Sequence, residues 1–319
     1  MLLILILVVV SPREANGQQL PQYTQFALNP YLVNPAVAGT EDFVDIRAGY
    51  RSQWTGFEDA PRTAFLSAHT NFSPAQTLHP SRYDTRNKVA AGMIVVRDRT
   101  GPLSLTIARL TTAYNFTLSD RGLRVSVGLS GGLRSFSFDP DGFTDNLPNA
   151  NDPTIQQRVS RSSFDLGSGV WVYNESAFVG VSSSQLFSAA SDSPAGNGML
   201  DPGVTARRHY YAMAGARVTL GRSLYMVPSV LMKFVSGAPL SVDISPKLVL
   251  KDRFWGGLNY RSEESFAVFA GLLLNERISL SYSFDLVTSQ IRNAAAGSND
   301  LHIGYRIRKG GIECPSRFW

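Results

Sequence analysis

Apolar and polar residues alternate along this 319-residue chain from about residue 43 almost to its end. The clearest runs are LRVSVGLSGGLR at 123–134, ISLSYSFD at 278–285 and LHIGYRIR at 301–308. Because successive side chains of a β-strand point to opposite faces, this period of two predicts strands with one apolar and one polar face. The polar positions hold mainly Gly, Ser and Arg rather than Lys and Glu, which indicates an enclosed polar side.

Turn residues divide this pattern into fourteen predicted strands. They lie near 43–53, 63–72, 88–97, 103–118, 122–138, 163–173, 177–186, 209–220, 223–235, 240–250, 254–261, 265–274, 277–285 and 299–308. Several exceed the usual ~5–6 residues of a globular strand and reach the ~9–11 residues that a tilted strand needs to cross a bilayer. The sequence therefore predicts an all-β fold with membrane-spanning strands.

Loop lengths add an independent argument for a barrel. The connections after predicted strands 4, 6, 8, 10 and 12 are tight, whereas those after strands 5, 7 and 13 are long. Outer-membrane barrels have short periplasmic turns and long extracellular loops. We therefore predict a transmembrane antiparallel up-and-down β-barrel of about 14 strands, although residues 73–87 form a long connection on the short-turn side. A soluble sandwich or propeller is the alternative, but the chain shows no blade repeat.

The ends of the chain complete the predicted organisation. Residues 1–10 are wholly apolar but too short for a transmembrane helix, and Ala15-Asn16-Gly17 offers a small-x-small cleavage site. We expect a signal peptide at 1–17, an N-terminal plug or periplasmic segment at 18–42, the barrel at 43–308 and a periplasmic tail at 309–319. The only cysteine, Cys314, lies in that tail and allows no internal disulfide. The predicted location is the outer membrane, with both termini in the periplasm.

The stretch QYTQFALNPYLVNPAVAGT, residues 22–40, does not alternate. Its two Asn-Pro steps favour fixed turns, because proline restricts both itself and the preceding residue. Since a fourteen-strand barrel encloses a lumen, this stretch is expected either to plug it or to contact a partner in the periplasm. The candidate plug or partner-binding residues are Tyr23, Gln25, Phe26, Tyr31, Asn34, Pro35 and Gly39, with the neighbouring Trp54, Gly56 and Phe57.

Other interpretations of these candidates stay open. Asn34, Pro35 and Gly39 could serve turn formation alone, and Trp54 and Phe57 could belong to an aromatic girdle at the membrane interface. The loops 139–162 and 187–208 are the candidate surface for a partner on the opposite face.

Catalytic and nucleic-acid-binding roles find little support in the residues. The net charge of +5 is spread over single arginines, without the basic runs of nucleic-acid binders. His69, His79, His209 and His302 lie in different segments without a nucleophile motif, so a barrel lipase is only a minor alternative. Asp139, Asp141, Asp145 and Asp152 match no calcium loop. We predict no catalytic residue, metal, cofactor, nucleic-acid partner or small-molecule substrate.

Several motifs together resemble one family. The stretch at 22–40 resembles the N-terminal Q-(Y/F)-x-Q-(Y/F)…N-P-A-x-A-G signature of the PorP/SprF family of type IX secretion system membrane proteins. The resemblance continues through RSQWTGFEDAPRTAFLSAHTNF, RHYYAMAGARVTL and DRFWGGLNYRS to GSNDLHIGYRI, which covers essentially the whole mature chain.

This resemblance implies a non-enzymatic barrel in contact with outer-membrane lipid. It implies work with the ring and motor components of type IX secretion, or with the C-terminal signal domain of a secreted adhesin, for export, surface attachment or gliding motility. The alternative is a transporter for small apolar or anionic solutes, since outer-membrane fatty-acid transporters also combine fourteen strands with an N-terminal plug.

Overall fold

The computed structural model describes residues 24–72, 86–119, 122–139, 158–186, 207–236, 238–262, 264–288 and 297–308. Two 3-10 helices, Pro30–Leu32 and Pro35–Val37, precede fifteen strands. Among the described residues no helix is long and apolar enough to cross a membrane. The predicted signal peptide and the tail with Cys314 lie outside these ranges. The strands are β1 Phe43–Ser52, β2 Arg62–Asn71, β3 Lys88–Thr100, β4 Leu103–Thr117, β5 Arg124–Phe138, β6 Val159–Tyr173, β7 Ala177–Ser184, β8 His209–Ala216, β9 Val218–Thr219, β10 Leu224–Val235, β11 Ser241–Leu250, β12 Phe254–Arg261, β13 Ser265–Leu273, β14 Ile278–Val287 and β15 Ser298–Arg308.

The sheet closes on itself. Each long strand pairs antiparallel with its neighbour in sequence, and β1 pairs with β15 from Phe43 opposite Arg308 to Ser52 opposite Asn299. The two-residue β9 lies outside this ring of fourteen and pairs with β10 in the same register as β8. The break between β8 and β9 falls near Pro228 of β10, which has no N–H to donate. The predicted fourteen-strand barrel is therefore confirmed, and each predicted segment corresponds to an observed strand.

The barrel is apolar outside and polar inside. On β5, Val127, Leu129 and Leu133 are exposed on the outer face, whereas Ser126 and Ser130 are buried on the inner face. The same distribution recurs around the wall, so that buried Asp, Arg, Ser and His residues face inward while Leu, Val, Ile and Tyr face outward. An apolar outer band of this kind is what lipid requires of a transmembrane barrel.

The two ends of the barrel differ. The described connections at 174–176, 220–223, 251–253 and 274–277 are tight and lie at one end, called here the short-turn end. Because Phe43 pairs with Arg308, the first and last strand of the barrel also begin and end there. The opposite, long-loop end carries the connections 53–61 and 288–297, together with the candidate loops 139–162 and 187–208, which lie largely outside the described residues.

Charges on the inner wall are paired. Asp243 accepts from Arg261 Nε at 3.1 Å and from Lys233 Nζ at 3.0 Å, and both Asp243 and Arg261 are buried. Arg51 Nη2 lies 2.7 Å from Asp285 Oδ2. Since an unpaired buried charge is expensive, these pairs offset the cost of placing charged side chains on the inner wall.

Candidate functional site

Residues 24–42, called here the N-terminal segment, lie within the barrel lumen. At one extreme Thr24 Oγ1 donates to Asp285 Oδ2 at 2.5 Å, and at the other Asp42 pairs with Lys88. Every residue from Thr24 to Glu41 except Val33 is buried. The segment therefore occupies the interior that a fourteen-strand wall would otherwise leave open.

The two Asn-Pro steps determine the local shape of the segment. Pro30 and Pro35 each begin a 3-10 helix, where a proline is favoured because its missing N–H is not needed. Asn34 is extended and its Oδ1 accepts from Ala36 N at 2.9 Å, as a helix N-cap does. Gly39 has φ +67°, and a Cβ there would also collide with Ala90. These residues thus form the turns that the sequence predicts.

Glycines of the barrel wall leave space for the segment. Four inward-facing glycines lie on strands β3, β5, β6 and β7, and a Cβ on any of them would collide with the segment. At Gly128, for example, it would lie 2.5 Å from Pro35 C and 2.6 Å from Ala36 Cα, closer than real Cβ atoms approach. The other three are Gly92, which faces the Tyr31 hydroxyl, Gly169, which faces the Asn34 side chain, and Gly180, where a Cβ would lie 2.1 Å from the Trp171 ring of the wall and 2.9 Å from Asn34 Nδ2.

Wall side chains satisfy the backbone of the segment. Ser182 Oγ donates to Val33 O at 2.6 Å, and Asn115 Nδ2 donates to Ala38 O at 3.2 Å. Further contacts link Arg47 to Leu28 O, Asn71 to Gly39 O and His69 Nδ1 to Gly39 N. An irregular backbone can be buried only if its N–H and C=O groups find such partners. The wall and the segment are therefore one hydrogen-bonded unit.

Polar and aromatic side chains fix the segment further. Gln25 Nε2 donates to Asp300 O at 3.2 Å while its Oε1 accepts from Ser281 Oγ at 2.7 Å. Tyr31 packs edge-on against the His69 ring with centroids 4.7 Å apart. Burial raises the pKa of the Tyr31 phenol to about 12. Phe26 joins Tyr31 in the apolar core of the lumen.

The structure divides the predicted site residues into two groups. Gln25, Phe26, Tyr31, Asn34, Pro35 and Gly39 come together inside the lumen, and Tyr23 lies outside the described residues. Trp54, Gly56 and Phe57 lie apart from them, in the β1–β2 connection at the long-loop end. Phe57 is 53% exposed there, and Trp54 and Gly56 have left-handed φ values of 48° and 96°.

Residues of the wall that complete the site were not predicted. Gly92, Gly128, Gly169, Gly180, Ser182 and Asn115 contact the segment from strands far away in sequence. The alternation places each of them on the polar face, but only the folded register brings them to the segment. A glycine on the polar face of β3 and of the three neighbouring strands β5, β6 and β7 is the one sequence signal that indicates a close approach.

We expect Asn34→Asp to disturb the segment more than Asn34→Ala. Asn34 Nδ2 donates to Val170 O at 3.2 Å and to Val181 O at 3.3 Å, and an aspartate would present a buried carboxylate to these carbonyls. The alanine loses a cap worth about 1 kcal/mol together with both wall contacts, whereas the aspartate keeps the cap but adds an unpaired charge. Thermal unfolding of the two purified variants measures which of them is less stable. An Asn34→Asp barrel more stable than the Asn34→Ala barrel would contradict this expectation.

The remaining titratable residues are described only within the ranges given above. Within the described ranges no group of three or more His, Cys, Asp or Glu side chains could hold a metal ion. Asp139 instead forms an exposed pair with Arg158 at 2.9 Å, and the other aspartates of its loop lie outside those ranges. His69 and His302 are buried on the inner wall, where His302 Nε2 lies 3.0 Å from Asp300 Oδ1.

A closed fourteen-strand barrel with an apolar outer face and a polar, filled interior defines an outer-membrane β-barrel protein. Its sequence matches the family described as type IX secretion system membrane protein PorP/SprF over residues 15–305. The chain therefore belongs to the PorP/SprF family, as the N-terminal signature predicts, and is an outer-membrane component of type IX secretion. No curated protein sequence matches it significantly.

Three solved structures are similar to this chain at low sequence identity. Omp33 of Acinetobacter baumannii is 8% identical with a TM-score of 0.46, over 85% of this chain and 99% of that one. A Pseudomonas aeruginosa FadL homologue is 12% identical with a TM-score of 0.47, over 93% and 96%. A Rhodopseudomonas blastica porin is 8% identical with a TM-score of 0.35, over 83% and 99%.

Proposed function

We propose that this barrel binds protein components of type IX secretion at the outer membrane and passes no solutes through its lumen. Its partners are the periplasmic ring and motor of the machinery, the C-terminal signal domain of a cognate secreted adhesin, or both. Binding serves export or surface attachment of that adhesin, including attachment for gliding motility. The observation that carries the proposal is the occupied lumen, since a filled interior leaves the two ends as the surfaces for partners.

The long-loop end offers a braced aromatic loop for the secreted protein. Thr55 N donates to Gly297 O at 2.7 Å, and Gly101 N donates to Asp59 O at 3.0 Å. The β1–β2 connection is thus tied on both sides, and Phe57 projects from it into solvent. A rigid exposed aromatic can bind a partner at low entropic cost.

The short-turn end offers a basic rim for the machinery. Three consecutive turns along the rim each carry an exposed arginine, namely Arg222, Arg253 and Arg277. The same turns add Lys251 but only two carboxylates, Asp252 and Glu276. A rim with an excess of cations favours an acidic partner surface and speeds its docking. We therefore assign the machinery contact to this end.

Pull-down from outer membranes in mild detergent tests both contacts. We expect Phe57→Ala to reduce recovery of the secreted protein about tenfold or more, the scale of a lost aromatic hot spot. We expect the triple variant Arg222→Glu, Arg253→Glu and Arg277→Glu to lose machinery components while keeping the secreted protein. Phe72→Ala, an exposed aromatic at the short-turn end, is the control for Phe57.

The pull-down is interpreted only for variants that keep the heat-dependent gel shift of a folded barrel. Unchanged recovery of both partner classes in all variants would contradict the proposal. Transport of small apolar or anionic solutes is the alternative function, and it requires residues 24–42 to leave the lumen. The frequency of channel openings in planar bilayers is compared between the wild-type barrel and a barrel that lacks these residues. Equal frequencies would favour transport.

A further inference from the structure

The N-terminal segment has a direction inside the barrel. Asp42 and Gly39 contact Lys88 and Asn71, which lie at the short-turn ends of their strands. Asn34 reaches Val170 and Val181 further along the wall. The segment thus lies at the short-turn end at residue 42, and residues with lower numbers lie deeper in the lumen.

The same movement continues to Thr24. Leu28 O accepts from Arg47, near the middle of β1, whereas Thr24 accepts from Arg51, next to the last residue of that strand. Thr24 also donates to Asp285, near the long-loop end of β14. Nineteen residues therefore run through the lumen from one end towards the other.

We infer that the N-terminal segment crosses the lumen with Thr24 at the long-loop end, so that a tag placed ahead of Thr24 is reached from the cell surface. The barrel itself still begins at Phe43 and ends at Arg308 on the short-turn side. The expectation that both termini lie in the periplasm stays a prediction, and this inference makes the opposite prediction for the amino terminus. This inference depends on the barrel orientation and is independent of which partner the protein binds.

This position of Thr24 bears on the surface proposed for the secreted protein. Thr24 lies near the braced loop that carries Trp54 and Phe57, because Trp54 N donates to Ser298 Oγ and Ser298 pairs with Asp285, which accepts from Thr24.

An epitope tag inserted after Gln19, in the full-length protein expressed in its own cells, tests the inference. Antibody binding is measured on intact cells and again after the outer membrane is permeabilised. The same tag after Glu58, in the β1–β2 connection, marks the long-loop end, and the tag after Arg222 marks the short-turn end. Each insertion must keep the heat-dependent gel shift of the folded barrel.

We expect the Gln19 tag to bind antibody on intact cells as the Glu58 tag does, about tenfold above the Arg222 tag, because short turns face the periplasm. Binding at Gln19 only after permeabilisation would overturn the inference. A tag detected on denaturing blots but reached in neither condition would also overturn it, because the chain would then end inside the barrel. An accessible Arg222 tag with an inaccessible Glu58 tag would reverse the orientation and overturn surface display.

Discussion

Gly128→Val is expected to unseat the N-terminal segment and turn a closed barrel into a conducting one. The valine side chain would need the space that the Pro35 carbonyl carbon and Ala36 Cα occupy, and these backbone atoms are held by the hydrogen bonds of Asn34. Overpacking of this kind costs about 1–3 kcal/mol, and 3 kcal/mol corresponds to roughly a 100-fold shift in population. We therefore expect channel openings in planar bilayers to rise by up to about 100-fold.

Gly131→Val on the same strand is the matched control. Gly131 faces outward, and a Cβ there would meet only the end of the flexible Leu166 side chain at 3.0 Å. This variant should stay closed with an unchanged gel shift. Conductance in both variants would indicate general damage to β5, and a closed Gly128→Val barrel would mean that the valine does not unseat the segment.

Partner binding by the same variant separates the two roles considered for the segment. If residues 24–42 serve only as a plug, Gly128→Val should conduct while still recovering its partners. If partners bind the side chains of Gln25, Phe26 and Tyr31 directly, the variant should both conduct and lose its partners. Their burial in the lumen favours the first outcome, because a buried side chain cannot contact a partner without leaving its site.

Much of the barrel could be predicted because its two requirements, alternation within strands and turn residues between them, are local features of the sequence. A membrane strand must alternate, and tight turns need Gly, Asn, Asp or Ser between the alternating runs. The run that contains Val125 and Val127, for instance, indicates both a strand and its lipid-facing side without knowledge of any neighbour. The strand count follows from the same pattern.

The site within the lumen could be predicted only in part, since its contacts are non-local. The Asn-Pro steps indicate turns around Asn34, but its wall partner Val170 lies 136 residues away. Sequence spacing alone does not reveal that Gly169 must lack a side chain to admit that asparagine. The sequence groups Trp54 and Phe57 with the segment because they follow it closely. Since β1 lies between them and the segment, they are found at the long-loop end.

Asp243→Ala is expected to cause the largest loss of barrel stability. Asp243 has no exposed surface and accepts hydrogen bonds from both Arg261 and Lys233. Removing the shared carboxylate leaves these cations in a dehydrated wall, with Glu264 as a more distant partner 3.8 Å from Arg261. Breaking a buried pair from one side costs about 3–5 kcal/mol in the free energy of unfolding.

Urea unfolding of the purified barrel in lipid vesicles measures this loss, with Asp139→Ala as the control. Asp139 also pairs with an arginine, but that pair is largely exposed, and exposed pairs contribute about 0–1 kcal/mol. Replacing all three residues, as Asp243→Leu, Arg261→Met and Lys233→Met, should recover much of the loss, because Glu264 is then the one member of the cluster that keeps a charge and its side chain is 31% exposed. Equal effects of Asp243→Ala and Asp139→Ala would mean that water reaches the inner wall and screens its charges. The lumen would then be hydrated rather than packed, and the segment at 24–42 would be a loose occupant instead of a structural part of the wall.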